Sequence, residues 1–553
     1  KIMRSGFKHH LLLAVVSYLF CGILPITAFL PLKPFVNNNN NNKVGSCYSS
    51  RIKEEEELIL LKDLNVAIVG AGPSGLLLAH RLLKKGAKCT IFESRGDPRI
   101  VTNMEGRAYA LGLGIRGRTA IRTVDETLWQ AIKKCGYESE KFDLHLTKQI
   151  SFRLRDAPTK AKKTFKDDDD SSQLEPSVLL YQSEMCSAFL NEIERLYGGR
   201  LVENNIVNLN FNATVLDVDF DNRTILFLTE NGASQNAGPF DLLVGCDGVN
   251  SKVRKSMAAS FPYFQSETKL LPGEVKVARL PIMPPKLDPS SIHLIVGSGG
   301  CSAFVEPTAN GRCCVLFARR GTTSGSTTDS KDRNSNISTT LDDLFLSISS
   351  NTNIDLIAQD ISQRFPLLEG LNFTDIAMQL VNQRSSSTSS VKCNVYHAGN
   401  FAVLVGDAAH ATGGVSGQGC NSALVDSAVL ADQLEESFHS TITSCTNKKH
   451  KIQSALLKYS QKQVPEGLAL YDLAFGQPSD KNGWKSIWIS LNSLLDTIFG
   501  GKFGIGRPPL QTLLTTSVAP FSEIRRNRQD LYTEQFPDAE YFNSMIESLS
   551  KKD

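Results

Sequence analysis

The chain has almost no net charge. Its 553 residues carry 60 basic and 57 acidic side chains, a formal charge of +3, and no basic block stands out. Nothing in that balance gives a footing for nucleic acid or for an anionic membrane surface. Cysteines spaced for chemistry are also missing. Twelve are scattered without one C-x-x-C pair, and Cys313 and Cys314 are adjacent, a spacing that suits neither a metal nor a simple bridge. Buried thiols in a reducing compartment are the expectation. There is no internal repeat. No apolar run of 18 residues follows the N-terminal segment, so no spanning helix is expected there. With 41% apolar and 21% charged residues, the composition is that of an ordinary globular protein, long enough for two or three folded units.

What is present begins with Asn65 to Arg95. Val66 to Val69 is a short apolar, β-branched run, as in a strand buried on both faces of a parallel sheet. Gly70-Ala-Gly72-Pro-Ser74-Gly75 follows at once, then apolar residues at helical spacing closed by Lys84, Lys85 and Gly86. Ala87 to Phe92 reads as a second strand, with Glu93, Ser94 and Arg95 at its end. In this pattern Gly70 makes the tight turn, Gly72 lets a pyrophosphate approach the backbone, and Gly75 lets helix and strand pack closely. The helix N-terminus then faces phosphates. Glu93 stands 23 positions after Gly70, the distance for an acid that accepts from a ribose. A glycine-rich turn alone is weak; between a strand and a helix, with the acid in place, it predicts a dinucleotide site.

Two further segments have related grammar. Phe240 to Gly245 predicts a buried strand, followed by Cys246-Asp247-Gly248 and a helix opening at Ser251. Alone, Asp-Gly is only a favoured turn. Phe401 to Val405 predicts another strand, followed by Gly406-Asp407-Ala-Ala-His410, Gly417-Gln-Gly419-Cys420-Asn421 and a helix over 419–436. Asp407 can accept from the hydroxyls of a ribityl chain. The N-terminus of that helix suits the negative charge of a reduced flavin, a need that an NAD site does not have. His410 reads as a buried hydrogen-bonding residue of the loop rather than as a base.

These three pieces, in this order over residues 65 to 436, resemble the single-component FAD-dependent aromatic hydroxylases (group A). Gly106-Arg107-Ala-Tyr-Ala-Leu-Gly112-Leu-Gly-Ile-Arg116-Gly117-Arg118 is similar to a stretch of the kynurenine 3-monooxygenases. So are Val464-Pro465-Glu466 with Ala469 to Leu473, and Pro509 to Ser522. The resemblance implies FAD, a hydride from NADPH or NADH, O₂ adding at flavin C4a, and one oxygen atom delivered to an aromatic or polyene substrate. A second GxGxxG and a redox C-x-x-C, which disulfide-reductase relatives would need, are both missing.

The chain departs from that family at several positions. A proline near the flavin ring is replaced by Gly414, and an FAD-contacting arginine by Gln182. The arginine that holds the kynurenine carboxylate is replaced by Phe142, with Lys141 the nearest base. Gln477 stands for a substrate-contacting amide, and a tyrosine is replaced at about Gln511. A carboxylate would lose its bidentate partner, so kynurenine is disfavoured and an uncharged or lipophilic ring is expected. Two other readings follow from the same residues: a flavin reductase of plastid isoprenoid type, and a non-catalytic FAD-binding protein.

The expected architecture is α/β. Residues 63–250 and 391–436 form a Rossmann-type, glutathione-reductase-like FAD-binding domain. Residues 251–390 form an inserted mixed β-sheet substrate domain, and 437–553 a helical C-terminal region. Glu274 to Leu280, Ile292 to Val296 and Cys313 to Phe317 are the expected strands of the substrate domain. Gly321 to Thr340 and Ser385 to Ser390 read as Ser/Thr-rich connections. The acidic loop at 160–172 reads as a floppy insertion rather than a metal site. At the start, Met3 is the expected initiator. Arg4 to His10 and the apolar Leu11 to Leu24 read as a signal peptide over 1–28. Phe29 and the low-complexity stretch to 62 resemble a bipartite plastid presequence, with another endomembrane compartment or a mitochondrial membrane as the alternative address. Residues 486–500 are apolar at helical spacing, which suits a packed helix or peripheral membrane contact.

Overall fold

Five strands run parallel through the middle of the molecule. The structure, a computed structural model, describes residues 60–100, 110–139, 141–155, 176–204, 206–319, 337–338, 340–346, 351–383, 385–414, 416–439, 447–476 and 510–551. The expectations for 1–59 and 486–500 therefore lie outside the described residues, as does the acidic loop at 160–172. The central sheet has the order His397–Ala398, Ala402–Leu404, Leu242–Gly245, Asn65–Val69, Lys88–Phe92, Val207–Asn210. Only the edge strand His397–Ala398 is antiparallel to its neighbour. The β-branched run at 66–69 pairs on both sides, with Leu242–Gly245 and with Lys88–Phe92. Val66, Ile68, Leu242 and Val244 are all fully buried. Each such side chain contributes roughly 1.5–3 kcal/mol by leaving water, which is why this strand sits at the centre.

Helix Pro73–Lys84 begins at a proline in its first turn and ends on Arg81 and Lys84, matching its dipole. It packs along Gly419–His439, and Arg81 pairs with Asp432 and Glu435 across that seam. Two segments far apart in sequence are thus held side by side.

A seven-stranded mixed sheet forms the second layer. Its order is Ser386–Cys393, Ser266–Leu280, Cys313–Arg319, Cys301–Pro307, Ser291–Val296, Lys141–His145, Ser151–Arg155. Two differences from the sequence reading appear here. Strands Lys141–His145 and Ser151–Arg155, placed by sequence in the nucleotide-binding part, join this sheet through a parallel pairing with Ser291–Val296. Ser385 to Ser390, expected as a connection, is mostly strand: Ser386–Cys393 pairs with Ser266–Leu280. It is an edge strand whose first half is serine and threonine, exposed to half-buried, so no apolar alternation is there for hydropathy to mark.

Alternation divides this second sheet cleanly. Ala278, Val315, Phe317, Ala303 and Ile295 point to one face and pack under helices Ile354–Arg364 and Phe373–Val381. The opposite face meets the nucleotide-binding part through Ala110, Tyr181, Val277 and Cys314. The adjacent Cys313 and Cys314 thereby enter two different cores, both fully buried. All nine cysteines among the described residues are free thiols.

The C-terminal helices wrap the long helix Lys448–Phe475. Arg525, with no solvent exposure, donates to Asp472 at 3.0 Å and to the Glu534 carbonyl at 3.0 Å, and lies 3.5 Å over the Tyr532 ring. Arg525→Ala should cost roughly 3 kcal/mol, the lower end for a broken buried pair because Asp472 keeps some solvent. Urea unfolding of wild type and variant measures the difference.

Candidate functional site

Four strand ends converge at one edge of the parallel sheet. Gly70 follows Asn65–Val69, Glu93 follows Lys88–Phe92, Asp247 follows Leu242–Gly245, and Asp407 follows Ala402–Leu404. The approach is closest at Gly70, whose φ is +105°. A Cβ there would lie 2.3 Å from the Cys246 carbonyl oxygen, and one at Gly75 would lie 2.1 Å from the Gly70 oxygen. No other residue type fits either position. At Gly72 the space is open: the nearest atom to a Cβ is the Gln182 side-chain nitrogen at 3.9 Å. Gln182 is therefore at the mouth of the turn. Helix Pro73–Lys84 starts there without a side-chain cap and without an acid in its first turn, which leaves N–H groups for a ligand.

Glu93 is buried and already engaged. Its carboxylate accepts from the Ala71 N–H at 2.9 Å, the Arg95 N–H at 3.0 Å and the Arg95 guanidinium at 2.9 Å. Burial alone would raise its pKa; the Arg95 bonds win and hold it below the usual range. Ser94 and Arg95 are exposed at the rim.

Asp247 caps the helix Lys252–Ser260, accepting from the Lys252 and Val253 N–H groups at 2.6 and 3.2 Å with one oxygen. Its other oxygen, Oδ1, is buried with no partner among the described residues. Burial pushes this carboxyl upward against those bonds. An orphaned acceptor beside the glycine turn is what a hydroxyl-bearing cofactor would satisfy. Gly248, with φ +71°, turns the chain away into open space.

The third segment closes the ring. Gly406 packs on Ala423 and on Ser74 of the first helix, and Ser427 donates to the Ser74 carbonyl at 2.9 Å. Asn421, in the first turn of Gly419–His439, accepts from the Gly114 N–H at 2.9 Å and donates to the Gly112 carbonyl at 2.9 Å. Gly112 is thereby fastened to that helix start. Asp407 lies beside Gly419. Cys420 is half-buried, and burial lifts its thiol well above the ordinary range. Between them in sequence, Gly413, Gly414 and Gly417 are all at positive φ. At Gly414 φ is +81°, which a proline ring locked near −65° cannot adopt. His410 is a buried hydrogen-bonding residue, as expected, with its Nε2 2.5 Å from Asp426. Burial would lower its pKa; the Asp426 carboxylate turns the net shift upward.

Arg116 is also buried, 4.1 Å over the Phe521 ring. Its Nε and Nη2 have no partner among the described residues, and burial brings it down to about 10.

The expected substrate residues divide. Phe142 stands on the sheet face turned to this site, its ring 5.8 Å from that of Phe304. Lys141, one residue away, points elsewhere and donates to Ser290 at 2.7 Å. Gln477 lies outside the described residues. The sequence reading missed Glu306, which is buried on the same face among apolar residues and is raised by burial to about 8. Its only signal was one acid inside the run Cys301–Pro307 (CSAFVEP); alternation sets it with Ser302 and Phe304, which hydropathy reads as the outward face, and only the fold shows that face to be covered. Among the described residues no group of acids, histidines and cysteines is placed to hold a metal, and no helix is long and apolar enough to cross a membrane.

Comparison with known proteins agrees with this geometry. The sequence profile described as FAD binding domain matches residues 63–444. The kynurenine 3-monooxygenase of Anopheles gambiae is 26% identical over 417 residues, spanning 74% of this chain and 73% of that protein. That of Salinispora arenicola is 24% identical and spans 84% and 91%. Among solved structures, the tetrameric form of 2-methyl-3-hydroxypyridine-5-carboxylic acid oxygenase has a TM-score of 0.53 at 15% identity. It covers 86% of this chain and 99% of its own, a likeness of fold.

Two outcomes are expected. Gly70→Ala should cost at least about 2 kcal/mol in urea unfolding and leave the purified protein short of yellow cofactor. Glu306 is neutral in the fold up to about pH 8 but ionises in the unfolded chain near 4.5. Between those values the unfolded state binds fewer protons, so wild-type stability falls as pH rises, by up to about 1.4 kcal/mol per pH unit from this group. Glu306→Gln should remove that slope, and unfolding curves at pH 5, 6.5 and 8 would show it.

Proposed function

The chain belongs to the FAD binding domain family and is an FAD-dependent monooxygenase; from that premise we propose that it uses NADPH or NADH and O₂ to place one oxygen atom on an uncharged or lipophilic aromatic or polyene molecule. One observation carries the substrate class. The sheet face opposite the nucleotide site presents Phe142, Leu144, Leu294, Phe304 and Leu316, while the nearby Lys141 is tied to Ser290. No guanidinium stands at position 142 to meet a carboxylate. Kynurenine, the substrate named for the relatives, is therefore disfavoured.

Bound FAD would supply hydride uptake and oxygen activation. The protein's part is binding and positioning. Gly70 to Gly75 and the helix behind them would hold the pyrophosphate, with Gln182 offering an amide at the same turn. Glu93 and Asp247 would accept from the sugar-side hydroxyls, and Asp407 from the ribityl chain. The start of Gly419–His439, braced by Asn421, would face the negative edge of the reduced ring. The apolar sheet face above would keep water away from the reacting carbon.

Purified protein with FAD should oxidise NADPH under air in the presence of a suitable ring and yield a hydroxylated or epoxidised product. A panel of quinols, carotenoids and aromatic acids, followed by absorbance and mass spectrometry, tests it. Neutral rings should be turned over in preference to kynurenine. Reduction of the substrate without oxygen would favour a reductase instead. Retained flavin that NADPH fails to bleach would favour a non-catalytic role.

A further inference from the structure

Glu306 is a buried acid in the rows of the sheet that face the nucleotide-binding part. Across the strands it lies opposite Cys314, which in turn lies opposite Arg279. Two residues along its own strand is Phe304, on the same face by alternation. Phe304 lies opposite Leu294 and Leu316, and Leu294 opposite Leu144. Phe142 joins this field through its contact with Phe304. The carboxyl is thus set in an apolar surface, with the residue 8% exposed. It accepts from the backbone of Ala110, the first residue of the strand that leads to Gly112. Gly112 is itself tied to the start of the helix Gly419–His439. The acid is therefore placed between the half-exposed rings of the sheet and the glycine-lined wall of the nucleotide site.

A methionine or leucine would fill this position at less cost than a carboxyl that burial keeps from ionising. A neutral carboxylic acid has one O–H donor and acceptor capacity on both oxygens, more than the Ala110 N–H uses. Arg279, the cation of the same row, lies 4.3 Å over the Tyr181 ring. Resting on the monooxygenase reading above, we infer that Glu306 contacts the substrate and takes a hydroxyl or amino group carried on its aromatic ring. The ring lies on Phe142 and Phe304, and its polar substituent reaches the carboxyl. The site so built selects phenols and aryl amines over bare rings and over aryl carboxylates, whose charge would have to leave water for an apolar surface.

The test uses the FAD-loaded protein and four probes of one shape: naphthol, naphthylamine, methylnaphthalene and naphthoate. Binding is read from the perturbation of the flavin absorbance spectrum. Wild type should bind naphthol or naphthylamine roughly 10-fold tighter than methylnaphthalene, and naphthoate weakest. Glu306→Met, close in volume, should bring the first three within about twofold of one another, and Glu306→Gln should keep part of the preference. An unchanged preference in Glu306→Met would mean that the acid only holds the Ala110 backbone. That result, a tightest fit for naphthoate through Arg279, or no perturbation by any probe would overturn the inference. Bleaching by NADPH in the same samples reports on the flavin enzyme separately, so the two readings can fail independently.

Discussion

The contact between the Gly70 turn and the Cys246 carbonyl sets the rest of the molecule. Two parallel strands end so close together that their backbones touch, with no room for a side chain at Gly70. The Gly70 N–H is spent on the Phe92 carbonyl at 2.7 Å and the Ala71 N–H on Glu93 at 2.9 Å. What remains directed outward is the first turn of helix Pro73–Lys84. Backbone, and not side chain, occupies the crevice, an arrangement that suits a phosphate.

The acids around that crevice serve the fold and the site together. Glu93 secures the glycine turn, and Asp247 caps the helix behind it. Bonds of this kind lock the rotamers of the groups that would meet a cofactor, so little order has to be gained on binding. The unsatisfied Oδ1 of Asp247 is the complement of that arrangement. It leaves an acceptor waiting in a place that water alone serves poorly.

In the second sheet the period of two does the sorting. It sends Cys313 to the helical side and Cys314 to the nucleotide side, and it turns Lys141 away while Phe142 stays. A one-residue slip would reverse every one of these assignments. The chemistry that this face can recognise is therefore a consequence of register, with the parallel pairing of Lys141–His145 to Ser291–Val296 as the decisive ladder.

Local pattern was enough for the nucleotide-binding half. Val66 to Val69, the three glycines, Glu93, Asp247 and Asp407 announce themselves because strand, turn and helix each leave a short-range signature, and the order of the motifs points to a flavin fold. Tertiary structure alone decided the rest. The Ser386–Cys393 edge and the recruitment of Lys141 to Arg155 depend on pairing with partners more than a hundred residues away, which composition does not record. The same holds for Glu306. As a letter it is one acid in a strand; buried beside Cys314 and the Ala110 backbone it is kept from ionising, because desolvation depends on what the folded chain packs around it.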